Sequence, residues 1–277
     1  MLDSHHHLWA YNPEQYPWIP PGSALAQDYL IPELIENTDA AGVTGTVAVQ
    51  ARQTLEESDW LLALSDQCER IQGVVGWVPL VDDDVGRHLE HLSHHRKFKA
   101  VRHVVQDEPD DQFILGEAFN RGIAQLQDYG LIYDILIFQK HLPPTIEFVD
   151  RHPNQPFVID HIAKPVIHNG RIEEDWKKGM AALAERQNVI AVKISGMVTE
   201  VTDDQLEVAT LRNYFNESLE LFGPARLCLG TDWPVCLLRI DSYKDWTDSV
   251  CNYVSELSDD EQSAILSGTC RAAYRLE

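Results

Sequence analysis

The sequence has 277 residues, 44% hydrophobic and 24% charged, which is enough for one large α/β domain with a sizeable core. Its formal net charge of −22 repels phosphate backbones and anionic lipids and so argues against nucleic-acid and membrane partners. No run of ~18 apolar residues predicts a membrane span. The five cysteines are odd in number and form no CxxC pair, so we expect reduced thiols, no thiolate zinc cluster and a cytoplasmic location.

Short runs rich in Val and Ile alternate with amphipathic segments along the chain. The runs lack strict polar alternation, which is typical of parallel strands buried on both faces. They are Met1–His5, Val43–Ala51, Ile71–Leu80, Phe98–Val105, Leu131–Ile137, Pro156–Ile162, Asn188–Ser195 and Arg226–Thr231. Apolar residues at helical spacing, with Thr54 as a cap for the second helix, predict helices at Ile31–Ala41, Glu56–Arg70, Val85–Lys97, Phe113–Tyr129, Leu142–His152, Glu173–Gln187, Gln205–Phe222, Tyr243–Leu257 and Asp259–Leu266.

Repeated strand–helix alternation predicts βα units and a parallel sheet. Eight units in 277 residues match the size of a single (β/α)8 TIM barrel, so we expect an α/β fold with one domain over residues 1–277. A doubly wound open sheet is the main alternative. Against it, neither GxGxxG nor GxxxxGK[ST] follows the first strand.

The longest stretch without clear periodicity is Leu8–Tyr29, which contains Trp9, Tyr11, Tyr16, Trp18 and four prolines. It follows the first strand directly, and the βα loops of a barrel lie on its functional face. The loop therefore either walls one side of a pocket or packs on itself as an ordered surface loop.

Reactive residues of a barrel lie at the carboxyl ends of its strands, and His5-His6-His7 ends the first strand. Alternate residues of a strand face the same side, so His5 and His7 can both reach a common metal or substrate oxygen while His6 points away. The competing explanations are a remnant of a purification tag and two ordinary surface histidines. The cluster has only three histidines and is framed by Asp3, which favours a functional role.

Two further candidates end the sixth and eighth strands. His161 is a third candidate ligand, although a lone histidine in an apolar run is more often structural. Asp232 can bind a metal, accept a proton from water, or do both, and the alternative is a helix cap or a turn residue.

Other strand ends carry candidates for substrate binding. Arg102 on the fourth strand supplies a fixed cation for a carboxylate or a developing oxyanion, with His103 beside it. Lys193 on the seventh strand either points into the barrel mouth or pairs with an internal acid such as Asp160. Trp77 on the third strand belongs to the core or to a pocket wall. Lesser candidates, whose direction the sequence does not determine, are Gln50, Tyr133 and Asp134.

Five motifs occurring in order from Asp3 to Pro234 resemble the amidohydrolase superfamily. More narrowly, they resemble its amidohydrolase-2 branch, which includes sugar-lactone hydrolases and, as near relatives, pyrone-dicarboxylate lactone hydrolases. The motifs are Asp3-x-His5-x-His7-Leu8-Trp9, Val101-Arg102-His103, Asp160-His161-x-x-Lys164-Pro165, Lys193-x-Ser195-Gly196 and Gly230-Thr231-Asp232-Trp233-Pro234. The resemblance implies a distorted TIM barrel that hydrolyses a lactone or related ester.

The resemblance also implies that His5, His7, His161 and Asp232 form the core of the site. It leaves open whether they hold one divalent metal, such as Zn2+, or work without metal. A two-metal site is not expected, because Arg102 stands where a lysine bridges two metals in relatives and the fifth strand lacks a clear histidine at its end. We include Trp233, which follows Asp232 in its motif, among the substrate-binding candidates with His5 and His7.

We therefore expect a hydrolase that opens a sugar (aldono-) lactone. The three histidines polarise the carbonyl, directly or through Zn2+, and Asp232 accepts a proton from water and returns it to the leaving oxygen. Arg102 and His103 orient the substrate or stabilise the oxyanion. Two alternatives remain, a metal-dependent decarboxylase of the same superfamily and a non-catalytic sugar- or lactone-binding barrel. A homo-oligomer is compatible with the sequence.

Overall fold

Eight parallel strands follow one another in chain order in a single sheet. The computed structural model describes residues 1–168, 171–203 and 208–277. Just beyond the last strand, the N–H of Asp232 donates to His5 O at 2.8 Å and the N–H of His7 donates to Trp233 O at 2.7 Å, so the sheet's two edges meet as a barrel. The strands are β1 (Leu2–His6), β2 (Gly45–Val49), β3 (Ile71–Gly76), β4 (Phe98–Val104), β5 (Ile132–Leu136), β6 (Phe157–Ile159), β7 (Val189–Ile194) and β8 (Leu227–Leu229).

Helices alternate with the strands, which confirms the predicted (β/α)8 TIM barrel. The Thr54 hydroxyl accepts from the N–H of Glu57 at 3.2 Å, so the predicted cap is present. Gln205, the predicted start of one helix, lies outside the described residues. The helices are α1 (Ile31–Ala41), α2 (Leu55–Gln67), α3 (Val85–Ser93), α4 (Glu117–Leu126), α5 (Leu142–Arg151), α6 (Glu174–Ala184), α7 (Val208–Phe222), α8 (Tyr243–Val254), α9 (Asp259–Ser263) and α10 (Thr269–Ala273).

Two element boundaries differ from the predictions for a physical reason. β6 ends at Ile159 instead of Ile162, because Asp160–Ala163 forms a short 3-10 turn with left-handed residues. The helix predicted from Phe113 begins at Glu117, because Gly116 has ψ 136° and interrupts the helical path.

The apolar core has two layers. One lies between the strands and the surrounding helices. The other fills the barrel interior, where Val47, Val49 and Val75 pack with Cys270 and Tyr274 of the C-terminal segment. Each fully buried Val or Leu side chain stabilises the fold by roughly 1.5–3 kcal/mol. This segment closes one end of the barrel and leaves the carboxyl ends of the strands for the site.

No helix within the described part of the chain has both the length and the apolar composition needed to cross a membrane.

Candidate active site

Three histidines and one aspartate converge at the carboxyl end of the barrel. His5 Nε2 lies 3.2 Å from His7 Nε2, and His7 Nε2 lies 3.3 Å from Asp232 Oδ1. The Nε2 atoms of His5 and His161 each lie 3.8 Å from the same oxygen. All four side chains are buried. His6 points away from them, with its Nε2 3.0 Å from Thr46 Oγ1.

An unusual backbone segment carries His161 into this cluster. The four residues of His161–Lys164 have φ values of 52°, 47°, 59° and 44°, and Asp232 has a φ of 56°. Left-handed backbone costs a non-glycine residue roughly 1–2 kcal/mol. The turn is held by the Trp176 indole N–H, which donates to Ile162 O at 2.7 Å. Strain of this kind clusters at functional sites, where the surrounding structure compensates for it.

The loop after β7 supports the His161 ring. Ser195 Oγ lies 2.8 Å from His161 Nδ1. Gly196 has a φ of 66°, and a Cβ at this position would lie 2.5 Å from His161 Nδ1. A glycine is therefore required here both for the backbone conformation and for the close approach of the ring.

The hydrogen-bond partner of His7 assigns its tautomer. His7 Nδ1 lies 2.8 Å from Val49 O, which can only accept, so Nδ1 carries the proton and a neutral ring has a lone pair at Nε2. His5 has a donor on each side, because Arg102 Nη1 lies 3.2 Å from its Nε2 and Lys193 Nζ lies 3.2 Å from its Nδ1. Two imidazole nitrogens 3.2 Å apart beside a carboxylate form a cluster that could hold a cation.

The pKa values favour neutral His5 and His161 rings and an ionised Asp232. Burial holds the pKa of His5 well below its usual value, and it lowers the pKa of His161 to about 4. Burial opposes ionisation of Asp232, but His161 and His7 outweigh it, so the pKa of this carboxyl lies below its ordinary value. Neutral imidazoles and a carboxylate are the forms that bind metal.

The donor set fits a single zinc ion. Tetrahedral ligands at ~2.0–2.2 Å from zinc lie ~3.3–3.6 Å from one another, and the observed separations of 3.2 to 3.8 Å are close to this range. His5, His7 and Asp232 form one group able to hold the ion, and His161 forms a second group with His5 and Asp160, with its Nε2 3.8 Å from Asp232 Oδ1. Asp134 of β5 accepts instead from Lys193 Nζ at 2.6 Å, away from the cluster.

A layer of buried charges supports the cluster from inside the barrel. Lys193 Nζ lies 2.6 Å from Asp134 Oδ2 and 2.8 Å from Asp160 Oδ1. Arg102 Nη1 lies 2.9 Å from Asp160 Oδ2, and His5 Nδ1 lies 3.4 Å from Asp160 Oδ1. Burial raises the pKa of Asp160, but Lys193 and His5 hold it well below its ordinary value. Of the two expectations for Lys193, the structure shows the pairing with internal acids.

A pocket of about 450 Å3 opens above the cluster, a size typical of small-molecule sites. Trp18 and Pro20 line it, so the loop after β1 forms one wall of the pocket. This agrees with the first of the two interpretations of Leu8–Tyr29. Five of the candidate site residues line it: His7, Gln50, Arg102, His161 and Asp232.

Other predicted substrate contacts lie outside this lining. His103 alternates with Arg102 along β4 and so points to the other side, where its Nε2 lies 2.7 Å from Glu108 Oε1. The Trp77 indole donates to His103 Nδ1 at 3.2 Å. Trp233 packs against Tyr29, with 5.1 Å between ring centroids.

Several pocket residues lie in the loops beyond the strand ends and are not among the candidates that the sequence predicts. For Lys164 the one available signal is its place in the motif Asp160-His161-x-x-Lys164-Pro165. No periodicity marks loop residues, so the others had no signal. They include Gln106, Asp107, Phe138, Thr199, Glu200, Val235 and Leu238.

The barrel and its histidine–aspartate centre, which could hold a metal ion, are those of a hydrolase, and the comparison with known proteins agrees. The amidohydrolase family model matches residues 2–276, so the chain belongs to the amidohydrolase family. It is 36% identical to an L-fucono-1,5-lactonase from Burkholderia multivorans, over 99% of this chain and 96% of the relative. It is 30% identical to an L-fucono-1,5-lactonase from Burkholderia ambifaria, over 100% and 96% of the two chains.

A solved structure is similar over the whole length. The crystal structure of a Burkholderia multivorans amidohydrolase with bound zinc has a TM-score of 0.93 and 36% identity, covering 100% of this chain and 99% of that one.

Proposed function

We propose that this protein is a hydrolase that opens a sugar lactone with the help of one zinc ion. The observation that carries the proposal is the close approach of His5 Nε2, His7 Nε2 and Asp232 Oδ1, which lie 3.2 to 3.8 Å from one another beside a pocket lined by His7 and Asp232. The L-fucono-1,5-lactonase relatives support a sugar lactone as the substrate, and the zinc-bound relative supports the metal.

In this proposal His5, His7, His161 and Asp232 hold the ion. A zinc ion supplies Lewis acidity, which polarises an ester carbonyl and acidifies water. The ionised Asp232 accepts a proton from the attacking water as its oxygen bonds to the carbonyl carbon. It returns that proton to the ring oxygen as the C–O bond breaks. Arg102 pairs with Asp160, and Asp160 contacts His5. Arg102 therefore acts by positioning the cluster.

The pocket composition favours a polyhydroxylated substrate. Gln106, Asp107 and Thr199 line it among apolar side chains, and such groups hydrogen-bond sugar hydroxyls. We also propose that residues 1–277 form one domain, because the segment with Tyr274 packs inside the barrel begun at β1. The five cysteines are unpaired, which supports a cytoplasmic location. A homo-oligomer stays a prediction.

The test measures proton release from a panel of aldonolactones, including L-fuconolactone, with zinc determined on the same samples. Asp232→Asn is expected to lower kcat by ~10²–10⁴-fold, because it removes the proton acceptor. His7→Ala is expected to lose bound zinc. The matched control is Asp175→Asn, since Asp175 is 96% exposed and should tolerate the change.

Undiminished turnover by Asp232→Asn contradicts the assigned role. Release of carbon dioxide from an aromatic or enoic acid, without lactone turnover, identifies the decarboxylase instead. Lactone binding without turnover across the panel identifies a binding protein.

A further inference from the structure

We propose that the Lys164 ammonium and the Glu200 carboxylate together hydrogen-bond a hydroxyl group of the substrate. This contact makes the enzyme prefer polyhydroxylated lactones over unsubstituted ones. The inference rests on the proposed lactonase function and assigns its specificity to two side chains at the pocket wall.

The two side chains lie together in the pocket that contains His161 and Asp232. Lys164 Nζ is 3.5 Å from Glu200 Oε1, and each side chain is 16% exposed. Lys164 ends the left-handed turn that begins at His161, and its N–H donates to His161 O at 2.8 Å. One rigid turn therefore places a candidate zinc ligand and a cation towards the same substrate.

The Lys164 ammonium has more N–H groups than its contacts use. It carries three N–H groups, and among residues 1–168, 171–203 and 208–277 its one polar partner is Glu200. Its other contact is the face of the Phe138 ring, 5.4 Å from Nζ to the centroid. At least one N–H group is therefore available to a ligand in the pocket.

The other cation of the pocket is already engaged. Arg102 Nη1 contacts Asp160 and His5, and Nη2 donates to Gln50. Arg102 is only 3% exposed. A substrate that needs a cationic donor can meet it at Lys164 without breaking the buried network.

A donor beside an acceptor matches the chemistry of a sugar hydroxyl, which both accepts and donates. Lys164 donates to the hydroxyl oxygen, and the hydroxyl proton is directed to the Glu200 carboxylate. A methylene at the same ring position can do neither and leaves both charged groups without this partner. Sites built in this way discriminate strongly against substrates that lack the hydroxyl.

The experiment compares two lactones with the same six-membered ring. L-Fucono-1,5-lactone carries ring hydroxyls, and δ-valerolactone carries none. Lys164→Met and Glu200→Gln are each expected to lower kcat/KM for the sugar lactone by ~10- to 100-fold, mainly through KM, because a hydrogen bond to a charged group is lost. Turnover of δ-valerolactone is expected to stay within about twofold of wild type, because this substrate never made the contact.

Lys177→Met is the matched control. Lys177 forms a similar pair with Glu217 at 2.8 Å and is 44% exposed. Neither substrate should be affected by this change. If Lys164→Met fails to fold, Glu200→Gln provides the same comparison.

The inference is overturned if either variant loses activity equally on both lactones, which would place the pair in the chemical step. It is also overturned if neither lactone is affected. If wild type hydrolyses no lactone at all, the proposed function fails first, and that result is distinguishable from both.

Discussion

Lys193→Met tests the buried charge layer beneath the site. The Lys193 side chain is fully buried, and its ammonium lies 2.6 Å from Asp134 Oδ2 and 2.8 Å from Asp160 Oδ1. Methionine fills a similar volume but leaves two buried carboxylates without their shared cation. Removing one partner of a buried ion pair costs ~3–5 kcal/mol of unfolding free energy. At ~2–4 °C per kcal/mol for a chain of about this size, the melting temperature should fall by about 6–20 °C.

The measurement is urea unfolding and thermal unfolding at pH 7, followed by circular dichroism. Lys177→Met is again the control, because the Lys177 side chain is 44% exposed and solvent screens its ion pair. The stability deficit of Lys193→Met should shrink as the pH falls, since protonation relieves the unpaired carboxylates. Adding Asp134→Asn should restore part of the loss. A Lys193→Met variant within ~1 kcal/mol of wild type at pH 7 would refute this reasoning.

Two further predictions concern Gly196 and Glu57. Gly196→Ala should lower lactone turnover on the order of 100-fold, because the added Cβ displaces His161. Gly223→Ala is the control, since Gly223 has a φ of 71° and open space where the Cβ would lie. This variant should have the same backbone strain and keep its activity. Burial raises the pKa of Glu57 from 4.5 to about 7, so its stabilising contribution is present below pH 4.5 and is lost as the pH rises through 7. The free energy of unfolding of Glu57→Gln, measured by urea titration, should therefore rise relative to that of wild type by up to ~3 kcal/mol between pH 4.5 and pH 7. A difference in this free energy that does not change with pH would contradict the prediction.

The strand–helix alternation is a local property, and so the sequence alone could predict the barrel. The apolar run that predicts a buried strand and the apolar spacing that predicts a helix both lie within the segment itself. They can therefore be recognised without knowing which other segments it contacts. The same locality predicted that His5 and His7 share a face, because side chains alternate along a strand. The barrel also determines that residues at the carboxyl ends of β1, β6 and β8 meet.

Only the tertiary structure decided how these residues are presented. No propensity predicts four left-handed non-glycine residues over His161–Lys164, since their strain is balanced by contacts distant in sequence, such as Trp176 and Gly196. The pocket walls likewise come from loops that carry no periodic signal.

Protonation and pairing are also tertiary properties. The lone pair at His7 Nε2 follows from the Val49 carbonyl on a neighbouring strand. The direction of Lys193 follows from Asp134 on β5 and from Asp160 in the turn after β6. The sequence alone determined the residues that can form the centre. The packing of strands distant in the chain decided which atoms face each other, because hydrogen bonds and charges act through space rather than along the sequence.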